Sequence, residues 1–129
     1  DASVRLSELA LGIGPFVVGP AVERKVGTGA FTALTINPSE WKSADWAREK
    51  GLYADIFATV DELDKAVNEL ADKLSKSSSE AMALLKKVMW EGTDNWDKLL
   101  IERAEMSGKL VLSDFTKKYI EKFKMNAKN

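Results

Sequence analysis

The sequence predicts an α/β chain that is mostly α-helical, with two short strands in its first half. Its 129 residues are 45% hydrophobic and 30% charged, which is typical of a globular chain long enough for one domain with a core. Apolar and polar residues alternate at Val4 and Leu6, as in a strand. From Thr59 onward, apolar residues recur every three or four positions, as in helices.

The first half is expected to combine a strand with two helical segments. Residues 2–6 form the strand, and a loop follows. Pro20 suits the first turn of a helix, where its missing N–H costs little. That helix is expected to end at Gly27, since glycine adopts the left-handed conformation of a helix cap. The stretch "GAFTALTI" continues as a helix to Asn37.

A capping pattern follows in the sequence "NPSE". Asn37 can cap a helix, Pro38 suits its first turn, and Glu40 completes a capping box. The pattern therefore predicts a helix that runs through "WKSADWAREK", with a break near Ser43, and stops at Gly51. Residues 52–57, "LYADIF", are then expected to form the second strand.

Four helices are predicted after Thr59. The first is expected to bury a stripe that consists of Val60, Leu63, Val67, Leu70 and Leu74. A serine-rich break at 75–80 follows, in which Ser77 or Ser78 can cap the next helix. The stripe of that helix consists of Ala81, Leu84, Leu85 and Val88. A third helix, near 93–110, is expected to bury Trp96, Leu99, Leu100 and Ala104. The last, near 113–125, presents Phe115, Tyr119, Ile120 and Phe123.

Composition excludes several kinds of chemistry. The chain has no cysteine and no histidine, so disulfides, thiolate nucleophiles, Ser-His-Asp catalysis and the common zinc sites are excluded within it. No metal site is predicted. Acid–base chemistry must come from carboxylates, lysine or tyrosine.

Charge and hydropathy bear on partners and location. The net charge is −1 and the basic residues are scattered, so neither nucleic acid nor an anionic membrane is an expected partner. The longest apolar runs, such as "PFVVGPAV", are too short to span a bilayer. No secretory leader is visible and cysteine is absent, which favours the cytoplasm. The chain opens at Asp1 without a methionine, which predicts a fragment or a processed protein.

Glu8 is the strongest candidate for chemistry, because it lies within an apolar run beside a Gly-Ile-Gly-Pro turn. Poor solvation there would raise the pKa of its carboxyl group and let it hold a proton near neutral pH. The alternatives are an acid that faces solvent or one that pairs with Arg5. Its apolar neighbours are Leu6, Leu9, Leu11 and Phe16.

Three segments together resemble the crotonase family, also called the enoyl-CoA hydratase/isomerase superfamily. Residues 7–27, "SELALGIGP…VGPAVERKVG", are similar to the family's Glu-containing stretch, Pro-containing turn and following helix. Residues 43–57 are similar to its Ser-Ala-x-x-Ala-x-x-x-Gly-Leu-Val segment, and residues 62–74 to the helix before its C-terminal helices. More weakly, residues 119–124 resemble the family's final Phe-x-Glu-Lys-Arg-Lys run.

The resemblance covers only the C-terminal half of a family member. It implies an α/β crotonase-like fold, in which residues 1–76 complete the ClpP/crotonase spiral core. Residues 77–129 would form a C-terminal helical region used for trimerisation, so a homotrimer or hexamer is expected. The two short strands would then belong to a larger sheet whose other strands lie in a missing N-terminal half of the same protein.

The resemblance also implies an activity, the addition of water to a 2,3-unsaturated acyl-CoA thioester. Glu8 matches the second of two catalytic glutamates, whereas the first glutamate and both donors of the oxyanion hole belong to the N-terminal half. The chain alone is therefore expected to be inactive. No cofactor is implied, because coenzyme A is part of the substrate. An isomerase, or a non-catalytic member that serves as a helical oligomerisation module, is the alternative.

The resemblance suggests substrate-binding residues as well, although this chain departs from the family's pattern there. Typical hydratases have a glycine-rich "PGxGGTQRL" where this chain has "PFVVGPAVERK". Phe16, Val17 and Val18 would border the acyl chain, which puts the acyl specificity in doubt. Lys122 and Lys124 are candidates for contacts with the phosphates of coenzyme A, and plain surface lysines are the alternative.

Overall fold

The computed structural model describes residues 2–126 and is mostly helical (67%). Two short strands, β1 (Ser3–Val4) and β2 (Lys42–Ser43), pair antiparallel, with Ser3 opposite Ser43. A 3₁₀ helix, Glu8–Leu11, follows β1. The α-helices are α1 (Gly19–Ile36), α2 (Ala44–Glu49), α3 (Val60–Ser75), α4 (Ser79–Met89), α5 (Trp96–Val111) and α6 (Asp114–Asn126).

The chain divides into two compact units. The first contains the residues up to Ala54 and those from Lys98 onward, and the second contains Asp55–Asp97. The predicted boundary between residues 76 and 77 falls in the break between α3 and α4 and stays a prediction. Among the residues described, no helix is both long and apolar enough to cross a membrane.

The first strand lies within the predicted segment, but the second does not. The prediction of a strand at 52–57 is wrong, because the backbone N–H groups of its first two residues donate to a carbonyl of the preceding helix. Leu52 N and Tyr53 N lie 2.8 and 3.2 Å from Ala47 O, after a turn in which Gly51 has a φ of 77°. The partner of β1 is instead the extended backbone at Lys42–Ser43.

The predicted helix start at Asn37 is also wrong. The Asn37 amide donates to Glu40 Oε2 at 3.1 Å, and Glu40 N donates to Asn37 O at 3.2 Å, so the segment closes into a turn. The helix begins only at Ala44, where Ser43 Oγ accepts from Trp46 N at 3.2 Å. The break that was expected near Ser43 is thus the true start of α2.

Helix α1 follows the prediction closely. It begins at Gly19 with Pro20 in its first turn. Gly27 interrupts it with φ 76° and ψ 160°, a backbone conformation that favours glycine. The predicted break and continuation are therefore confirmed, and α1 ends before Asn37.

Helix α3 begins where the helical pattern predicts it, directly after Thr59, and helix α4 follows Ser78, one of the two predicted caps. Thr59 Oγ1 accepts from Glu62 N at 3.2 Å, and Glu62 Oε2 accepts from Thr59 N at 3.2 Å, which completes a capping box. Ser78 Oγ accepts from Ala81 N at 3.2 Å. The sequence determines these starts because a cap depends only on residues within one turn of each other.

The prediction that these helices bury their stripes is wrong. Leu63, Leu70 and Leu84 are 43%, 57% and 58% exposed, and the other stripe residues are exposed as well. An apolar stripe on a helix is buried only when another element packs against it, and these exposures show that none covers the stripes here. The apolar surface of the second unit is therefore open.

Helices α5 and α6 lie within a few residues of their predicted bounds. Trp96, Leu99 and Leu100 are half-buried as expected, whereas Ala104 is exposed, contrary to the prediction. The fully covered side chains are few and lie in the first unit: Leu34, Ala47 and Thr116 are at most 3% exposed.

Candidate active site

The candidate site is built on the 3₁₀ turn Glu8–Leu11, called here the Glu8 turn. Gly12 ends it with a φ of 78°, which is accessible to glycine at little cost. Gly12 N donates to Leu9 O at 3.1 Å, and Ile13 N donates to Glu8 O at 3.0 Å. The backbone around Glu8 is therefore held by local hydrogen bonds.

Thr116, on α6, attaches the Glu8 turn to the C-terminal helices. Its hydroxyl oxygen lies 2.9 Å from Leu11 O and 3.0 Å from Leu110 O, so one proton is shared between two carbonyls. The same oxygen accepts from Ser113 Oγ at 3.2 Å. Because Thr116 is 1% exposed, water does not replace these bonds.

Gly12 packs directly against α6. A Cβ atom at this position would overlap the ring of Phe115 and would lie 2.9 Å from Thr116 Oγ1. Position 12 thus requires glycine for two reasons, its positive φ and the close approach of α6.

The carboxyl group of Glu8 contains a buried oxygen to which the described part of the chain offers no partner. Glu8 is half-buried, and no hydrogen-bond donor among residues 2–126 reaches its Oε2 atom. The alternative of a pair with Arg5 does not hold, because the structure contains no such ion pair and the Arg5 guanidinium lies 4.3 Å from the centre of the Trp41 ring. A buried polar atom without a partner costs free energy, so it calls for an explanation such as a reacting group or a bound water.

Two cavities contain Phe16, and one of them borders the Glu8 turn. That one, of about 340 Å³, is mostly apolar and is lined by Leu9, Gly12 and Ile13 among others, but not by Glu8. The second, of about 240 Å³, has Arg103 in its lining. Phe16 lines both cavities, so the structure brings this predicted residue to the same region as the Glu8 turn.

The other predicted binding residues do not line these two cavities. Val17 and Val18 are 46% and 41% exposed and do not line either cavity. Lys122 and Lys124 lie on α6, are exposed, and are also absent from these linings.

The sequence pattern does not identify Thr116 or Arg103. A local signal existed for the first, because Ser113 Oγ accepts from Thr116 N at 3.3 Å in a helix-start pattern. No local signal could reveal that the Thr116 hydroxyl reaches Leu11, which is 105 positions away.

Replacing Thr116 with valine is expected to lower the free energy of unfolding by about 1–3 kcal/mol, because the part-buried bond to the Leu11 carbonyl is lost, whereas Leu110 O keeps its bond from Ser113 N. Urea denaturation measures this. Thr32→Val is the matched control, since the Thr32 hydroxyl bonds to Thr28 O on an exposed helix face, and it should change stability by about 0.5 kcal/mol or less. Equal stabilities of the two variants would contradict the anchoring role of Thr116.

Within residues 2–126, no group of three or more acidic residues is placed to hold a metal ion. Neither a protein-family model nor a curated protein matches the chain.

Proposed function

We propose that this chain is the C-terminal half of an enzyme of the enoyl-CoA hydratase/isomerase family, in which Glu8 is a general acid/base. The sequence segments that resemble the family support this proposal. The observation that carries it is Glu8 Oε2, a buried carboxyl oxygen that has no hydrogen-bond partner among the described residues. An acid in this state is available to exchange a proton with a substrate or with water.

The proposed reaction adds water across the double bond of a 2,3-unsaturated acyl-CoA. The hydroxyl group of water bonds to C3, a proton is delivered to C2, and the Glu8 carboxyl group takes part in moving that proton. The negative charge that develops on the thioester oxygen is stabilised by two backbone N–H groups of the N-terminal half. The acyl chain would lie in the apolar cavity lined by Leu9 and Phe16.

Hydration of crotonyl-CoA by the complete protein tests this proposal, with the loss of absorbance of the conjugated thioester as the readout. We expect the complete protein to be active and residues 1–129 alone to be inactive, because the oxyanion donors are assigned to the other half. Activity of residues 1–129 alone would contradict that assignment. A complete protein that moves a 3,4 double bond and adds no water would be an isomerase instead. The cytoplasm is the location that goes with this proposal.

A second candidate is a helical module for assembly, in a family member with or without catalysis. The open apolar stripes of α3 and α4 favour it, as do exposed aromatic residues on α6 such as Phe115 and Phe123, 63% and 66% exposed. Apolar surface of this extent marks interaction sites in folded proteins. The expected assembly is a homotrimer or a hexamer.

Light scattering on the complete protein is expected to give the mass of a trimer or hexamer. Leu70→Lys should lower that mass, because it places a charge within the apolar stripe of α3, where Leu70 is 57% exposed. Lys65→Gln changes an exposed residue of the same helix outside the stripe and should leave the mass unchanged. A monomeric wild-type protein would exclude the assembly role.

A further inference from the structure

A third cavity, of about 290 Å³, lies in the first unit and has no part in the reaction proposed above. It is formed by the segment around the Glu8 turn, the turn that follows α1, and α6. Its polar lining consists of Arg5, Ser7, Ser39 and Tyr119. Its apolar lining includes Leu11, Ile120 and Phe123.

The positive charge at this cavity has no carboxylate partner in residues 2–126. The Arg5 guanidinium lies over the Trp41 ring at 4.3 Å. The neighbouring acid, Glu40, is already bonded to Lys42 Nζ at 2.7 Å and to the Asn37 amide at 3.1 Å. The pKa of Glu40 is lowered by its hydrogen bond to Lys42, which keeps this acid ionised and paired there. The stacked ring orients Arg5 but does not neutralise it.

The hydroxyl groups at the cavity are also available to form hydrogen bonds with a ligand. Among the described residues, the side chains of Ser7, Ser39 and Tyr119 form no hydrogen bond with one another or with another residue. Arg5 and three residues with hydroxyl groups therefore line this cavity together with aliphatic and aromatic side chains.

We propose that this cavity binds an amphipathic organic anion, with its anionic head on Arg5 and a short alkyl chain against Leu11, Ile120 and Phe123. The planar guanidinium donates two parallel hydrogen bonds to a carboxylate or a phosphate, and the hydroxyl groups donate to its remaining oxygens. An apolar cavity with a few convergent polar groups is the usual form of a small-molecule site. The head group is a carboxylate or a phosphate ester, and the experiment distinguishes the two.

Isothermal titration calorimetry with hexanoate, hexyl phosphate and 1-hexanol tests the proposal on residues 1–129. We expect saturable binding of at least one anion, at least tenfold tighter than that of hexanol. The tighter of the two anions identifies the head group. Arg5→Gln should weaken the binding at least tenfold. Arg48→Gln is the matched control, because Arg48 is exposed and bonded to Asp45 on α2, and it should bind as the wild type does.

Three results of these titrations with the wild type and Arg5→Gln would overturn the proposal. These are no saturable binding of either anion, hexanol binding as tightly as the anions, and an unchanged affinity in Arg5→Gln. Arg5→Gln also removes the contact between Arg5 and Trp41, so a loss of binding in it can come from misfolding. A second variant that keeps this contact separates the two causes. Tyr119→Phe removes one hydroxyl group and is expected to weaken the anion about threefold or more with hexanol unaffected. Equal effects of Tyr119→Phe on the anions and on hexanol would also overturn it.

Discussion

Replacing Glu8 with glutamine in the complete enzyme is expected to lower the rate of crotonyl-CoA hydration by about 10²–10⁴-fold. Glutamine keeps the size and polarity of the side chain but cannot take up or release a proton. The buried Oε2 atom has no donor among the described residues, so the substitution disrupts no hydrogen bond at that atom. The loss should therefore appear in kcat, with the affinity for a saturated acyl-CoA ester nearly unchanged.

Glu49→Gln is the matched control for this experiment. Glu49 lies on α2, is exposed, and bonds to Lys50 at 2.7 Å, so its replacement should leave turnover unchanged. Turnover close to that of the wild type in Glu8→Gln would exclude the general acid/base role. An equal loss in the control would show that the effect arises from charge alone.

Replacing Gly12 with alanine is expected to lower the free energy of unfolding of the first unit by about 2–5 kcal/mol. Two causes add up. A φ of 78° costs an L-residue about 1–2 kcal/mol, and the overlap with the Phe115 ring costs about 1–3 kcal/mol. Denaturation measures the loss of stability. Amide hydrogen exchange at Ile13, whose N–H bonds to Glu8 O, reports on the Glu8 turn itself.

Gly29→Ala, in the same unit, is expected to have the opposite effect on stability. Gly29 lies in α1, and a Cβ atom there would meet nothing within 4 Å. Alanine at this position should stabilise the protein by about 0.5–1 kcal/mol, since it restricts the unfolded chain and favours the helix. If Gly12→Ala were as stable as Gly29→Ala, the described contact of α6 with the Glu8 turn would be wrong.

The parts of the fold that could be predicted depend on short-range chemistry. The capping box of Thr59 and Glu62 and the helix break at Gly27 each involve residues within one turn of each other. The pairing of β1 with β2 could not be predicted, because a bridge of two residues leaves too short a pattern to detect. The exposure of the α3 stripe could not be predicted either, since periodicity identifies an apolar face but not whether another element covers it.

The candidate site could likewise be predicted only in part. The apolar run predicts Glu8 and the family resemblance predicts Phe16, and the structure places Phe16 in the cavity that borders the Glu8 turn. The sequence left open whether Glu8 pairs with Arg5, and only the stacking of Arg5 on Trp41 decides this. Local pattern also carries no information about Thr116, because its role depends on a contact between distant parts of the chain.

The bond between Thr116 and Leu11 has a consequence for the order in which the protein is made. It joins positions 105 residues apart, so this loop can close only after α6 has been synthesised. A ribosome produces the Glu8 turn long before it produces α6. The Glu8 turn is thus anchored only after α6 has been made, and a chain that stops before α6 is expected to lack this anchor.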